Sequence, residues 1–103
     1  MRMPKKSSKK QTTSFQEKVY KVVREIPKGR VMTYKEVAKL AGKSRAFRVV
    51  GDALNKNPDL KKIPCHRVVK SDGTVGGYKQ GTNRKISLLS KEGVIIRKGR
   101  VVL

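Results

Sequence analysis

Cysteine and histidine are almost absent from this sequence: the chain has a single cysteine, Cys65, and a single histidine, His66. One cysteine cannot form a disulfide within the chain, which fits a reducing compartment. One cysteine and one histidine also fall short of the four ligands that a structural zinc site needs. We therefore expect no disulfide, no metal and no cofactor.

Long apolar runs are lacking as well, and none reaches the length that a bilayer span requires. The start, MRMPKKSSKKQTTS, is basic but has no apolar segment behind it, so it does not resemble a secretory signal. We interpret residues 1–13 as a disordered basic arm that either follows phosphates or is a solvated tail. Residues 14–103 have the length of one domain with a modest core. We expect a cytoplasmic monomer with no membrane contact and no obligate protein partner.

Acidic residues are scarce: only 7 of them oppose 27 lysines and arginines, which leaves a formal net charge of +20. This excess predicts a polyanionic partner, because basic side chains that neutralise phosphates release condensed counterions. Lysine-rich surfaces also serve solubility or thermostability without any ligand. Of these two interpretations we favour nucleic acid.

Two capping boxes predict the first two helices. Ser14 with Glu17 precedes a segment whose valines share one helical face, and Pro27 follows it. Thr33 with Glu36 starts a second, shorter helix, YKEVAKL. Both signals are local and place the helix starts within the first third of the chain.

A third helix is predicted closely behind the second. Ser44 is positioned to cap RAFRVVGDALNKN, and Asn57 with Pro58 stops it. The turn between the second and third helices contains Gly42. Two short helices joined by a tight glycine-containing turn form a helix-turn-helix, although many such pairs bind nothing.

The second half of the chain predicts small β elements and one more helix. Two β-favouring pieces flank the turn 71–73, and two short strands flank the turn 98–99. Between them a helix could cap at Thr82 or Asn83 and stop at Gly93. The fold class that follows is mostly α with small β elements, a winged-helix-like helix-turn-helix domain.

The adjacent Cys65 and His66 in IPCHRVV are either structural or catalytic. A lone cysteine is usually a small buried apolar residue, and by itself the pair favours that interpretation. The second interpretation is a catalytic pair of a cysteine hydrolase, but on an extended segment adjacent side chains point to opposite faces. A water molecule between Cys65 and His66 would bridge them more easily than direct contact.

The motifs around this pair resemble the C-terminal domain of the O6-alkylguanine-DNA alkyltransferases, suicide repair proteins that accept an alkyl group. The resemblance covers about residues 15–95. The matching segments occur in the family's order and spacing: VMTYKEVAKLAG, RAFRVVGDALNKNP, IPCHRVV, GTVGGY and KISLLSKEG.

The resemblance implies a catalytic role for four residues. Cys65 would accept the alkyl group from guanine O6 irreversibly, and His66 would take the thiol proton through a water. Glu92 would hold His66 in its working tautomer, and such a relay raises the thiolate fraction of a cysteine. Tyr34 would supply a donor to the guanine. Taken singly, Tyr34 could instead close a helix interface and Glu92 could be a surface carboxylate.

The same resemblance implies a substrate pocket and a DNA-binding helix. Tyr78 would border the pocket, the Lys79 backbone would approach O6, and Asn57 would brace the cysteine turn. Val68 and Lys85 belong to the same pocket. Arg48 would fill the space left by a flipped nucleotide, since chemistry at O6 requires extrusion from the stack. The recognition helix would enter the minor groove and bind double-stranded DNA containing O6-alkylguanine with little sequence preference. The further DNA-binding residues are Thr33, Ala46, Phe47 and Gly51.

The sequence departs from the family in three respects. Only the family's C-terminal domain is matched, so no accessory zinc site or supporting domain is expected. Phe47 and Asp52 stand where small residues are usual, and they could weaken or re-angle docking on DNA. Alkyltransferase-like proteins, which flip the lesion without repairing it, commonly have tryptophan at the position of Cys65. The cysteine argues against that branch.

The resemblance therefore implies a single-turnover methylated-DNA–protein-cysteine methyltransferase. One alternative is a non-catalytic lesion-binding protein that leaves the cysteine unalkylated. The other is a plain helix-turn-helix DNA-binding protein with a structural cysteine.

Overall fold

The computed structural model of the protein describes residues 14–102. Within them the chain forms four α-helices and four two-residue strands. In chain order the elements are α1 (Ser14–Arg24), β1 (Met32–Thr33), α2 (Tyr34–Leu40), α3 (Phe47–Asn55), a 3₁₀ turn (Cys65–Arg67), β2 (Val68–Val69), α4 (Thr82–Lys91), β3 (Ile96–Arg97) and β4 (Arg100–Val101). The predicted class, mostly helical with short strands around a helix-turn-helix, is confirmed. The predicted basic arm lies outside the described residues.

The capping box at the start of α2 is present as predicted. The amide of Glu36 donates to Thr33 Oγ1 over 3.1 Å, and the amide of Thr33 donates to Glu36 Oε1 over 2.8 Å. Each residue thereby satisfies an amide that the first helical turn leaves without an intrahelical partner.

The predicted caps of α3 and α4 are wrong. Helix α1 begins at Ser14 and the residue before it lies outside the described residues, so the box of Ser14 and Glu17 stays a prediction. Ala46 precedes α3 and Gly81 precedes α4, and neither makes a side-chain capping bond. Ser44 is therefore too early, and Thr82 is already the first helical residue of α4. Tertiary packing decides where these two helices begin, because a single cap contributes only about 1 kcal/mol.

Helices α1, α2 and α3 pack around one apolar core. Gly42 has φ of +100° and lets the chain reverse between α2 and α3, a conformation that costs glycine little. The hydroxyl of Tyr20 donates to the carbonyl of Ala53 over 2.7 Å and ties α1 to α3. The helix-turn-helix thus rests on α1 and exposes the outer face of α3.

Strand β2 connects this core to a second one. It pairs in parallel with β1, Met32 opposite Val68 and Thr33 opposite Val69. Successive strand residues point to opposite faces. Val68 accordingly packs among the three helices, whereas Val69 packs in a cluster with Leu89 of α4. The cysteine turn immediately before β2 is therefore fixed between two cores.

The C-terminal strands form the predicted hairpin, with Ile96 opposite Val101. The two β pieces expected around residues 71–73 are only partly present. The turn forms, since Gly73 donates to the Lys70 carbonyl over 2.9 Å, but the piece after it is reduced to a bridge between Thr74 and Arg100. It pairs with β4 rather than with β2.

Candidate active site

Cys65 lies on a tight turn and borders a small cavity. Its amide donates to the carbonyl of Ile63 over 2.8 Å, and the amide of Arg67 donates to the carbonyl of Pro64 over 2.9 Å. The expectation of an extended segment is wrong: residues 65–67 form one 3₁₀ turn. Only 4% of Cys65 is exposed, and its thiol is free. The cavity measures about 140 Å³ and is lined by Tyr34, Gly51, Leu54, Asn55, Cys65, Gly77, Tyr78 and Lys79.

Asn57 braces the cysteine turn, as expected. Its Nδ2 donates to the carbonyl of Ile63 over 2.7 Å, and its Oδ1 accepts from the amide of Asp59 over 2.8 Å. Asn57 is 1% exposed, so both bonds are made away from water. An amide side chain uses its donor and its acceptor at once here, which an aspartate could not do.

The free protein keeps the Cys65 thiol protonated. Burial raises the thiol pKa, against the opposing effects of a hydrogen bond with Asn57 and the charges of Lys85 and Lys79. Desolvation disfavours the charged form, and here it prevails. The expected lowering of this pKa by His66 and Glu92 is therefore wrong for the free protein. The cations that act on the sulfur are the two lysines.

His66, Glu92 and Arg67 form a connected chain of polar contacts. His66 Nε2 lies 3.0 Å from Glu92 Oε2. Arg67 donates to the same carboxylate twice, from Nε over 2.9 Å and from an Nη atom over 2.7 Å, and its other Nη donates to the carbonyl of Ile26 over 2.7 Å. Glu92 is thus not a surface carboxylate beside Lys91. Arg67 was missed from the sequence, and its only signal there was its place directly after the Cys-His pair.

The charge states in this chain follow from these contacts. The two hydrogen bonds from Arg67, more than the single bond with His66, lower the Glu92 pKa to about 2. Burial lowers the pKa of His66, although Glu92 opposes that shift. At neutral pH the histidine is neutral beside an ionised carboxylate, so its Nε2 carries the hydrogen that Glu92 accepts. Nδ1 is then the nitrogen that can accept a proton.

Tyr34 lines the cavity, and Lys85, which does not line it, lies buried behind Tyr34 and Gly77. Lys85 is fully buried; its Nζ donates to the carbonyl of Gly77 over 3.1 Å and lies 5.7 Å from the centre of the Tyr34 ring. Burial lowers the Lys85 pKa to about 8, although Cys65 opposes the shift. Burial also raises the Tyr34 pKa, so this phenol stays a hydrogen-bond donor at neutral pH. Lys85 is a charged group held inside the protein.

The remaining pocket residues are divided between cavity and core. Tyr78 borders the cavity, and its ring meets that of His66 edge-on with centres 6.4 Å apart. Lys79 reaches back from the rim, and its Nζ donates to the carbonyl of Asn57 over 3.1 Å. Val68 lies in the helical core and is not among the cavity-lining residues. Because Val68 directly follows the cysteine turn, its packing anchors that turn in the helical core.

The outer face of α3 borders a second, larger groove of about 520 Å³. Tyr34 and Gly51 belong to both spaces, so the groove leads directly to the cysteine cavity. The groove is lined by Tyr34, Lys35, Phe47, Arg48, Gly51, Lys70, Ser71 and Asp72.

Three of the five residues predicted to bind DNA, Phe47, Arg48 and Gly51, line this groove. Arg48 is exposed, and Phe47 is 37% exposed with the ammonium of Lys35 5.6 Å from its ring centre. A Cβ at Gly51 would meet no protein atom within 4 Å. Ala46 precedes α3, while Thr33 caps α2 on the other side of the turn. Asp52 is exposed on α3. The face offers cations and open space for a large ligand.

Two negative findings apply to residues 14–102. There is no group of three or more histidine, cysteine, aspartate or glutamate side chains that could hold a metal ion. No helix in this stretch has the length and apolar character to cross a membrane.

Comparison with known proteins identifies close relatives in sequence. The model of the 6-O-methylguanine DNA methyltransferase DNA-binding domain matches residues 14–94. A methylated-DNA–protein-cysteine methyltransferase of Methanosarcina barkeri is 51% identical over 80 residues, 78% of this chain and 51% of that protein. One of Metallosphaera sedula is 50% identical over 86 residues, 84% and 53% of the two proteins. The chain spans about half the length of these curated relatives.

Two solved structures show the same fold bound to DNA. Mycobacterium tuberculosis OGT in complex with DNA matches with a TM-score of 0.77 and 41% identity, over 81% of this chain and 51% of that one. S. pombe Atl1, in complex with damaged DNA containing O6-carboxymethylguanine, matches with a TM-score of 0.76 and 37% identity. That match covers 86% of this chain and 87% of Atl1.

Proposed function

The chain belongs to the family of 6-O-methylguanine DNA methyltransferase DNA-binding domains, and from this premise we propose that it repairs DNA by accepting an alkyl group. The group passes from guanine O6 to Cys65 Sγ, irreversibly and once per molecule. Its partner is double-stranded DNA that contains O6-alkylguanine. It acts as a monomer in the cytoplasm, without an obligate protein partner.

The observation that carries this proposal is the position of the chain's single thiol. Cys65 lies on a rigid turn, and its cavity is shared with Tyr34 and opens beside the basic face of α3. A structural cysteine would need only apolar neighbours. Here the thiol instead borders a space with a tyrosine, a lysine and an exit toward a cationic groove. That arrangement suits a nucleophile that meets a flipped nucleotide.

The proton of Cys65 has a defined destination. His66 is neutral, and Glu92 fixes its Nε2 as the protonated nitrogen. Nδ1 then accepts the thiol proton through a water, and Glu92 stabilises the imidazolium that forms. Arg67 keeps Glu92 ionised and oriented. Because the thiol pKa is raised in the free protein, this transfer belongs to the DNA complex rather than to a preformed thiolate.

The transfer is an in-line displacement at the alkyl carbon. The thiolate sulfur forms a bond to the alkyl carbon, the bond from that carbon to O6 breaks, and its electron pair remains on the guanine. Tyr34, whose hydroxyl stays protonated, donates a hydrogen bond to the purine as that charge develops. Lys79 is among the cavity-lining residues, and its backbone approaches O6 in the proposed complex. The thioether is stable, so the protein does not turn over.

Docking on DNA uses the outer face of α3. Arg48 occupies the stack position of the extruded nucleotide, while Phe47, Ala46, Thr33 and Gly51 contact the minor groove. The groove between Arg48 and residues 70–72 leads the flipped base past Tyr34 to Cys65. Flipping costs a few kcal/mol, which phosphate contacts of the +20 chain offset.

Intact-mass measurement tests the proposal directly. The protein is mixed with a duplex containing one O6-methylguanine, and a matched undamaged duplex serves as control. We expect one methyl group per chain in place of the thiol hydrogen, mapped to the peptide with Cys65, and no further gain with time. Cys65→Ala should bind the lesion duplex and gain nothing. Folded wild-type protein that binds the duplex but never gains the methyl group would contradict alkyl transfer.

Lesion binding without repair is the second candidate, and one observation favours it. Atl1, solved in complex with damaged DNA containing O6-carboxymethylguanine, has the same fold, with a TM-score of 0.76 and 37% identity. The two functions differ in the fate of Cys65. Retained lesion selectivity with an unmodified thiol would assign the chain to this second function.

A further inference from the structure

The turn between β3 and β4 carries three cations in its four residues, 97–100. Lys98 and Gly99 form the turn, and Arg97 and Arg100 stand opposite each other as the pair of strand residues next to it. The side chains of Arg97, Lys98 and Arg100 are exposed. None of the ion pairs within residues 14–102 includes them. The turn therefore presents positive charge that no carboxylate of this stretch pairs with.

This turn adjoins the edge of the larger groove beside α3. Arg100 Nη1 donates to the carbonyl of Asp72 over 3.4 Å, and the backbones of Arg100 and Thr74 form an antiparallel bridge. Asp72 lines the same groove as Arg48. The Asp72 carboxylate is engaged within its own loop, where Oδ1 accepts from the amide and the hydroxyl of Thr74. The cations of the turn thus continue the basic surface that begins at Arg48.

The two arginines point to the outer face of the hairpin. Opposite residues of an antiparallel pair share a face, and the next pair along occupies the other face. That next pair, Ile96 and Val101, packs in the apolar cluster behind the hairpin. Arg97 and Arg100 are therefore directed away from the core. Both are available to a ligand that lies across the hairpin and the groove edge.

Local energetics disfavour these three residues at this turn. Among the described residues, Lys98 alone of the non-glycines has a positive φ, 53°, where the Cβ is crowded by the backbone. Asparagine or glycine is the usual first residue of such a turn. Arg97 and Arg100 are like charges in directly opposed positions, so they repel each other. A polyanion across the turn would relieve the repulsion and use all three charges.

Resting on the function proposed above, we propose that the β3–β4 turn is a second DNA-binding surface, which holds backbone phosphates of the duplex beside the lesion. Arginine binds two phosphate oxygens at once, and lysine binds phosphate as a point charge. Helix α3 contacts the minor groove at the lesion, whereas the turn contacts the strand that crosses the groove edge. Phosphates carry no base identity, so this surface adds affinity without sequence or lesion preference.

Lys98→Asn tests this surface, because it removes one charge and fits the turn better than lysine does. Its unfolding midpoint in urea should therefore not fall, which excludes misfolding as the cause of weaker binding. Fluorescence anisotropy measures binding to a lesion duplex and to the undamaged duplex at several salt concentrations. We expect the slope of log K against log salt to become shallower by about 0.9. This change corresponds to binding about eightfold weaker at about 0.1 M salt, equally for both duplexes.

Arg97→Gln is the second variant, since it removes a charge and also the repulsion between the arginines. It should make the slope shallower by about the same amount. Lys98→Arg keeps the charge in the same backbone conformation and should keep the wild-type slope. Lys21→Gln removes an exposed charge from α1, beside a different groove, and should keep it as well.

The outcomes separate this surface from the proposed function. Unchanged slopes in Lys98→Asn and Arg97→Gln, or an equal change in Lys21→Gln, overturn the inference. An effect confined to a single-stranded oligonucleotide of the same sequence overturns it too, because the surface is assigned to the duplex. Methyl transfer from O6-methylguanine by the wild type is followed separately by intact mass. Its absence, together with shallower slopes in the two variants, contradicts the proposed function and upholds the surface.

Discussion

Replacing Lys85 by methionine should make the protein more stable and a poorer alkyl acceptor. Lys85 is fully buried on α4, and burial lowers its pKa from 10.5 to about 8. At about 1.4 kcal/mol per pKa unit, keeping this ammonium charged inside the fold costs about 3 kcal/mol at neutral pH. Methionine fills a similar volume without a charge. The loss of the bond to the Gly77 carbonyl takes back about 1 kcal/mol.

We therefore expect Lys85→Met to raise the free energy of unfolding by about 2 kcal/mol at neutral pH, or the melting temperature by about 10 °C. Urea unfolding followed by circular dichroism measures this difference. Lys91→Met, an exposed position on the same helix, is the matched control and should change stability by less than about 0.5 kcal/mol.

The pH dependence identifies the cause. In the folded wild type Lys85 loses its proton near pH 8, whereas the unfolded chain keeps it until about 10.5. Between these values the unfolded state binds more protons, so wild-type stability gains with rising pH. The Lys85→Met variant lacks this gain. Its excess in free energy of unfolding over the wild type should therefore shrink to less than half near pH ~9.5. A variant that is no more stable than wild type at neutral pH, or an advantage independent of pH, would refute the reasoning. Alkyl transfer should slow in the variant, because a cation that lowers the thiol pKa is gone.

Three further predictions follow from the site. Glu92→Gln should lower the free energy of unfolding by about 2 kcal/mol at neutral pH, because Arg67 loses its ionised partner. The Glu92 pKa is about 2 in the folded protein and 4.5 as its ordinary value. The difference in stability between variant and wild type should therefore disappear in urea titrations as the pH falls from 4.5 toward 2. Gly51→Ala should stabilise α3 by about 1 kcal/mol, since a Cβ there meets no protein atom, yet weaken lesion-duplex binding in a fluorescence titration; unchanged binding would remove Gly51 from the DNA surface. Arg48→Ala should slow transfer from lesion duplex far more than transfer from free O6-benzylguanine, because only the duplex requires the vacated stack to be filled; equal slowing of both would argue against a role in flipping.

The order of helices and the family were readable from the sequence because they depend on local signals. The capping box of Thr33 and Glu36 depends on residues three apart in sequence, and both of its predicted hydrogen bonds are present in the structure. Gly42 between two short apolar-faced segments was sufficient to predict the helix-turn-helix. The motifs around Cys65 identified the relatives, since their order along the chain needs no coordinates.

The chemistry of the site was decided by tertiary structure. Arg67 and Glu92 are 25 residues apart, and their contact keeps Glu92, the hydrogen-bond partner of His66, ionised. Lysine in an amphipathic helix is ordinarily exposed, so the burial of Lys85 had no local signal. The same holds for the raised pKa of the Cys65 thiol, which the motif alone had suggested would be lowered. Desolvation depends on every atom packed around a group, and a sequence pattern describes only its neighbours along the chain.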